Sequence, residues 1–437
     1  MIYLDNSATT QPSKVCVDTM TELLTCAWGN PSSVHALGID AEKRLKAARA
    51  QVAQALGAEP ERVFFTSGGT EADNWAISGA AERLGKRGRH IVTTAVEHHA
   101  VLHPMQRLEA RGFEVTYLQP DEAGFVSAER LAEALRPDTI LVSVMMVNNE
   151  TGAVMPIPEM IRATRRKSPL ALFHTDAVQG FFKLPFKAKT LGADMISVSG
   201  HKIHASKGVG ALYIRPGLPL PPLILGGGQE SNYRSGTENL PGICGFGAAC
   251  AEQLPRLSAD IAHMKQLRDL CRETLSDVPG LVFLGKQDAP HIVNLSLPGL
   301  RSQGIINCLQ DHDIYVSAGS ACSRGHRSHV LEAMHLPPAV IDGSIRVSFC
   351  PENTEADIAA LHAALGDEAE PYITWNGRKY HIDLKAINAL WLRKSGVTQI
   401  DVSGDCTACR TDLYWSHRKH GGERGSQIAM ISLEDTL

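Results

Sequence analysis

The sequence predicts an α/β protein: a large domain on a mostly parallel sheet, a smaller α+β domain, and a C-terminal appendage. Three observations predict it. Between about residues 62 and 215, short apolar runs alternate with helical patterns. Polar and glycine-rich segments follow those runs, as expected where an open α/β sheet gathers ligands beyond the ends of its strands. Then the proline-rich Pro216–Pro222 and Gly226-Gly227-Gly228 end the pattern, and a different mix of elements takes over.

Val63–Thr66, Ile91–Thr94, Val115–Leu118, Leu141–Val144, Leu170–Phe173, Met195–Val198 and Gly210–Ile214 read as strands. Most are apolar runs, which marks a sheet covered on both faces. Glu71–Leu84, Ala128–Leu135 and Ile157–Lys167 read as helices between them. Past Gly228 a long helical region reaches about Asp277, followed by strands near Leu281–Leu284 and Ile292–Leu297. A helix at Ser302–His312, a strand to Val316 and a final strand at Ile345–Phe349 complete the smaller unit. Thr354, with Asp357 three residues on, is an N-cap for a helix to about Leu365. The acidic, proline-ended Gly366–Pro371 reads as a linker. Domains are therefore placed at 1–255, 256–366 and 367–437, with the N-terminal segment free to join the second.

A chain of 437 residues can bury a large core, and its 43% hydrophobic and 21% charged content is that of an ordinary globular protein. A net charge of −4 gives no electrostatic case for nucleic acid or an anionic membrane. No secretory leader is visible at Met1–Asn6, and no apolar run reaches the roughly 18 residues of a membrane span. Ten sparse, irregularly spaced cysteines argue for a reducing cytoplasm rather than a disulfide scaffold.

The chemistry concentrates in Ser199-Gly200-His201-Lys202 and His174-Thr175-Asp176-Ala177-Val178-Gln179. A lysine after one apolar run and an aspartate after another are what pyridoxal 5'-phosphate needs. The amine condenses with the aldehyde as a Schiff base, and the carboxylate holds a proton on the pyridine nitrogen. Most lysines are ordinary surface residues, but Lys202 is framed by Met195–Val198 and the small-residue loop Ala205-Ser206-Lys207-Gly208. Gln179, one turn past Asp176, suits a donor to the cofactor's phenolic oxygen. Ser67-Gly68-Gly69-Thr70 opens a helix and aims N–H groups and a hydroxyl at a phosphate. His98 follows a strand at the same sheet edge, where it can stack on the ring and move protons. Cys322 sits in the small-residue run Ser317–Arg327. Arg324, His326 and Arg327 favour the thiolate of a group whose ordinary pKa is about 8.5. It reads as a mobile nucleophile.

Together these segments resemble the cysteine desulfurases, the sulfur-mobilising branch of the class V aminotransferase fold. The likeness covers about residues 1–366. It rests on Tyr3–Thr10, Thr66–Asn74, Glu97-His98, Val147–Glu150, Asp176–Gln179, Ser199–Lys202, Arg234–Thr237, Ser320-Ala321-Cys322 and Ser344–Ser348. It implies a pyridoxal-phosphate-dependent transferase fold in which Lys202 carries the cofactor. Asp176 then serves the ring nitrogen, Gln179 the phenolic oxygen, and His98 stacks as an acid/base. Gly69, Thr70, Ser199 and His201 surround the phosphate. Thr237 reaches the phosphate of a neighbouring subunit, which implies a homodimer. Asn149 and Arg346 hold the substrate carboxylate, Asn149 also lying beside the cofactor. The implied reaction takes sulfur from L-cysteine, leaving L-alanine and a persulfide on Cys322. That sulfur passes to a protein acceptor, either an iron–sulfur scaffold or a tRNA-thiolation enzyme. The stretch from Cys322 to Ser328 is shorter than in long-loop members of the family. Two other readings are a selenocysteine lyase or aminotransferase of the same fold, and a non-catalytic adaptor presenting the tail. The intact Lys202, Asp176, His98 and Cys322 weigh against the adaptor, and the Ser320–Cys322 loop against the other enzymes.

The tail from about Tyr372 resembles the end of the multicopper polyphenol oxidase/purine nucleoside phosphorylase-like family. Tyr380–Ala386, Val402–Cys409 and Ser416–Gly422 carry that likeness. The metal-site region upstream in such proteins is missing, so the resemblance implies no activity here. Leu384, Ile387 and Trp391 fall at helical spacing. Cys406, Cys409, His417 and His420 do not have a standard zinc spacing and read as a remnant of gene fusion. No metal site is assigned.

Overall fold

The computed structural model describes residues 1–318 and 327–366, with the backbone of residues 373–375 and 380–382. The chain divides into two compact units, residues 1–366 and 367–437.

In chain order the strands of the first unit are β1 (Ile2–Tyr3), β2 (Val63–Thr66), β3 (His90–Thr94), β4 (Glu114–Leu118), β5 (Thr139–Ser143), β6 (Leu172–Asp176), β7 (Met195–Ser199), β8 (Gly210–Ile214), β9 (Val282–Leu284), β10 (Ile292–Ser296), β11 (Ile314–Tyr315) and β12 (Ser344–Ser348). Seven of them form the central sheet in the order β2-β8-β7-β6-β5-β3-β4. Only β8 opposes the common direction, pairing antiparallel with both β2 and β7. The carboxyl ends of β2, β3, β5, β6 and β7 therefore open on one edge, and the Ser67–Thr70, Glu97-His98, Asn148–Glu150, Asp176 and Lys202 loops leave that edge.

Both faces of the sheet are buried, and alternate residues divide between them. Val63, Phe65, Val92, Val142, Phe173, Ile196 and Val198 pack with helices Lys14–Thr25, Ala36–Leu56 and Leu240–Gln253. Phe64, Ile91, Leu141, Leu172, Met195 and Leu212 pack with helices Gly69–Leu84 and His99–Glu109. Two-sided burial is why these strands read as unbroken apolar runs.

A second sheet, β12-β10-β9, is antiparallel throughout. The N-terminal segment joins it: β1 pairs with β11, Asp5 bridges to Ser348, and Leu4 is buried with Met264, Val293, Ile345 and Phe349. The final helix, Glu355–Gly366, starts where Thr354 stands, and Thr354 N donates to Asp357 Oδ2 at 3.0 Å. In the second unit, β13 (Ile373–Trp375) and β14 (Tyr380–Ile382) form an antiparallel hairpin. The helix expected at Leu384–Trp391 and the Cys406, Cys409, His417 and His420 group lie outside the described residues. Among the described residues, no helix is long and apolar enough to cross a membrane.

Several strand bounds differ from their sequence reading by one to three residues (β5, read as Leu141–Val144, spans Thr139–Ser143), and one difference bears on the site. The run Leu170–Phe173 predicts a strand two residues too early, because β6 spans Leu172–Asp176. Leu170 is 61% exposed, whereas His174, Thr175 and Asp176 are buried. The apolar pattern fails there because the strand ends in buried polar groups that serve the site.

Candidate active site

Lys202 closes a short 3-10 turn, Gly200–Lys202, that leaves β7 directly. Its Nζ donates to the carbonyl oxygens of Ser7 at 2.5 Å and Ala8 at 2.7 Å. The N-terminal segment wraps this loop. Thr10 donates through N and Oγ1 to His201 O at 2.9 and 3.0 Å, and His204 N donates to Thr10 Oγ1 at 2.7 Å. Thr9 Oγ1 lies 3.2 Å from His201 Nδ1. Sequence reasoning missed this embrace, since backbone carbonyl acceptors leave no side-chain signature.

Asp176 ends β6, and its Oδ1 accepts from Val178 N at 2.9 Å. Burial raises its pKa to about 6, against the Val178 bond and the Lys202 charge. Behind it lies a buried polar layer. His174 Nδ1 is 2.8 Å from Ser143 Oγ, and its Nε2 is 2.9 Å from Ser197 Oγ. Asp73, on helix Gly69–Leu84, puts Oδ1 3.5 Å from the same Nε2. Burial, and then the charge of Asp176, hold the Asp73 carboxyl well above the ordinary range. Burial pushes His174 down to about 3. His174 is thus a neutral ring at physiological pH, and Asp73 is biased toward its protonated form. The signal for His174 was its spacing: two residues before Asp176 on a strand, it shares that residue's face.

His98 is the N-cap of helix His99–Glu109, where its Nδ1 accepts from Ala100 N at 3.1 Å. That bond assigns the proton of the neutral ring to Nε2. Burial, followed by Lys202, pushes the His98 pKa down to about 4. Glu97 beside it accepts from Thr94 Oγ1 at 2.7 Å and from Met145 N at 3.0 and 3.1 Å, and burial raises its pKa to about 8.

At the other end of the site, Gly68 (φ 153°, ψ −178°) delivers the chain to a helix that no side chain caps. The first-turn N–H groups remain available to an anion. A Cβ on Gly69 would stand 2.6 Å from Val178 Cγ2 and 3.7 Å from Ser199 Cβ, so only glycine leaves this cradle open. Ser199 is buried and Thr70 exposed. Burial, then Lys202 and Lys207, push His201 down to about 4. Gln179 is buried; its Nε2 donates to Ser7 O at 2.9 Å, and its Oε1 lies 3.3 Å from His291 Nε2. Thr237 stands exposed.

Arg346, on β12, is 1% exposed. It donates from Nη1 to Asn149 O and from Nη2 to Asp5 Oδ1, both at 2.7 Å, while its buried Nε has no partner. Asn148 shapes the loop that presents Asn149. Its Nδ2 donates to Val96 O at 2.9 Å, and its Oδ1 accepts from Glu150 N, Thr151 N and Thr151 Oγ1 at 2.9, 2.8 and 3.1 Å.

Cys322, Arg324 and His326 lie outside the described residues. Their flanks are fixed to the site walls. Ser317 exchanges backbone bonds with Arg346 at 3.2 and 2.6 Å. Beyond the segment, Ser328 Oγ donates to the Glu150 carboxylate, and His329 Nε2 lies 2.9 Å from Glu97 O. Arg327 pairs with Asp342 through two bonds of 2.6 and 2.8 Å.

Residues 2–361 match the family model described as aminotransferase class-V. Residues 335–434 match the model for multi-copper polyphenol oxidoreductase laccase, although residues up to 366 fold with the first unit. The chain is 42% identical over 361 residues to the cysteine desulfurase IscS of Methanosarcina thermophila, covering 82% of this chain and 89% of the relative. Among solved structures, a NifS-like protein superposes with a TM-score of 0.79 at 38% identity, over 83% of this chain and 98% of the other. SspA in complex with cysteine gives 0.71 at 33% identity, over 81% and 100%.

Proposed function

The chain belongs to the class V aminotransferases and, within them, to the cysteine desulfurases with pyridoxal 5'-phosphate as cofactor, and from that premise we propose the residue roles, sulfur path and assembly that follow. When bound, the cofactor supplies an electron sink for negative charge at the α-carbon of an amino acid. The observation that carries the residue roles is the placing of Lys202 within electrostatic reach of both Asp176 and His98 at one sheet edge.

Lys202 would hold the cofactor, and its amine would serve as the base for the α-proton of L-cysteine. Its amine is aimed by the Ser7 and Ala8 carbonyls. Asp176 would keep the pyridine nitrogen protonated, backed by the buried His174 that Ser143 and Ser197 hold. Gln179, oriented by Ser7 and His291, serves the phenolic oxygen. His98 stacks on the ring and donates from Nε2, since the Ala100 N–H occupies Nδ1. The open helix terminus at Gly69 and Thr70, with Ser199 and His201, receives the phosphate. Arg346 and Asn149 receive the substrate carboxylate, and the orphaned Nε of Arg346 is a donor waiting for an acceptor.

The Cys322 thiolate attacks the substrate sulfur. The S–S bond forms as the C–S bond breaks, and the carbon fragment takes up the electron pair and a proton to leave as L-alanine. The persulfide then passes to a protein acceptor of the iron–sulfur or tRNA-thiolation kind. The anchoring of both flanks to Arg346, Glu150 and Glu97 supports delivery of Cys322 to this site. The exposed Trp28, Val34 and Leu225 and the surface position of Thr237 support a homodimer in which Thr237 completes the partner's phosphate site. The described cysteines are free thiols, in keeping with the cytoplasm.

A single turnover with L-cysteine and no reductant tests the reading. Alanine should appear with one added sulfur on the Cys322 peptide, and Cys322→Ala should abolish both. 3-Mercaptopyruvate with the cofactor left in its amine form would replace this reading with an aminotransferase.

A further inference from the structure

Behind the Lys202 loop, His204 meets Cys350 and Glu352, a neighbouring pair from a distant stretch of the chain. His204, Cys350 and Glu352 each bring one ligand atom to within 4.8 Å of the others. His204 holds a positive φ of 59°, fixed by its N–H bond to Thr10 Oγ1 and by Ser13 N donating to its carbonyl at 2.8 Å. Cys350 and Glu352 follow β12, so the cluster joins the lysine loop to the second sheet.

The imidazole carries the argument. Its Nδ1 lies 3.0 Å from the Gln11 carbonyl, an acceptor, so Nδ1 must bear the proton. A neutral ring then has its lone pair on Nε2. That atom is buried without a hydrogen-bond partner, yet Glu352 Oε2 stands 3.5 Å away. A nitrogen lone pair and a carboxylate oxygen repel unless a proton or a metal cation lies between them. The Cys350 sulfur converges on the same point, which suits a cation shared by three donors rather than a proton held between two atoms. Fixing one ring nitrogen on a backbone carbonyl while the other is left free is also how proteins orient metal-binding histidines.

We propose that His204 Nε2, Cys350 Sγ and the Glu352 carboxylate form a binding site for a zinc-type divalent cation, with water as fourth ligand. Imidazole, thiolate and carboxylate form a donor set that zinc accepts in tetrahedral geometry. The Cys350 thiol is buried and pushed up to about 12, mainly by that burial, so it enters as a neutral thiol. Metal binding forms the metal–sulfur bond and releases one proton to solvent. Thiolate and carboxylate then balance the divalent charge. The other charged groups around the cluster are Arg256, Lys183 and Asp260. Arg256 Nη2 is 3.8 Å from Glu352 Oε1, which leaves Oε2 facing the histidine. Lys183 is buried with its Nζ 3.9 Å from Met264 Sδ. Asp260 adds negative charge nearby. No metal motif was legible in the sequence because the ligands are contributed by separate segments.

The test uses the full-length, cofactor-loaded protein carrying Cys322→Ser, stripped by chelator and titrated with Co2+. The expected result is a thiolate-to-cobalt charge-transfer band and release of one proton per ion bound. Cys350→Ser should lose the band and one equivalent of bound metal, while a Cys406→Ser/Cys409→Ser protein keeps both. Glu352→Gln alters an exposed carboxylate and so serves if Cys350→Ser misfolds; it should weaken Co2+ binding at least tenfold. Unchanged stoichiometry and band in Cys350→Ser, or unchanged affinity in Glu352→Gln, would overturn the site. So would failure of the parent to bind Co2+.

Discussion

Glu71 holds the guanidinium of Arg234 through both carboxylate oxygens, Nε to Oε1 at 2.7 Å and Nη2 to Oε2 at 3.2 Å. Glu71 lies in the first turn of the helix opening the phosphate cradle, and Arg234 lies three residues before Thr237. The bond registers the loop proposed to serve a neighbouring subunit against the subunit's own helix terminus at Gly69. Burial works against an ionised Glu71, but the Arg234 and Ser67 bonds prevail and lower its pKa.

Arg234→Ala should therefore loosen the cofactor without touching it. Removing a paired, largely buried guanidinium leaves Glu71 with Ser67 alone and costs about 1–3 kcal/mol. Cofactor dissociation, followed by loss of its visible absorbance on dilution, should quicken by about tenfold. Arg234→Lys should recover little, because a single ammonium cannot span both oxygens.

Gly69→Ala tests the cradle from the inside. The added Cβ meets Val178 Cγ2 at 2.6 Å, and Val178 also supplies the N–H that holds Asp176. A stiff β-branched neighbour cannot swing away, so the strain of about 1–3 kcal/mol falls on the cofactor's two anchor points. Equilibrium binding of pyridoxal phosphate to the apoprotein should weaken by about tenfold or more, while far-ultraviolet circular dichroism stays unchanged.

Much of the site was legible because its residues follow apolar strands: Lys202 after β7, Asp176 at the end of β6 and His98 after β3. What escaped notice has physical reasons. The Ser7 and Ala8 acceptors are backbone atoms. Asp73 and His174 are polar residues inside a helix and a strand, where a pattern of burial gives them no distinction. Helix His99–Glu109 contains Pro104, whose presence argues locally against a helix that packing of Val101, Met105 and Leu108 nevertheless imposes. His204, Cys350 and Glu352 meet only through the tertiary fold.

Asn148 is buried and satisfies four polar groups of the loop from Val96 to Thr151. Asn148→Ala would strand two buried N–H groups and one hydroxyl, each removal costing about 1–3 kcal/mol when unrelieved. A loss of about 3 kcal/mol is expected in denaturant unfolding. The accompanying shift of Asn149, whose carbonyl anchors Arg346, should raise KM for L-cysteine. An intact KM with the same stability loss would separate the loop's folding role from carboxylate binding.

Asp176 gives the pH dependence its sign. Its carboxyl goes from an ordinary 3.8 to about 6 in the fold without cofactor, chiefly through burial. A raised acid binds its proton more tightly when folded, so its stabilising contribution is complete below 3.8 and is lost as pH rises through 6. His98 runs the other way. Lowered from 6.5 to about 4, it contributes fully above 6.5 and loses that contribution as pH falls through 4. Comparison with Asp176→Asn isolates the aspartate. In the apoprotein, the melting temperature of the parent relative to Asp176→Asn should fall as pH rises from about 4 to above 6. With cofactor bound, a protonated ring nitrogen favours the carboxylate, so the parent should gain on Asp176→Asn over the same window. A difference that does not move with pH in either form would remove Asp176 from the ring nitrogen.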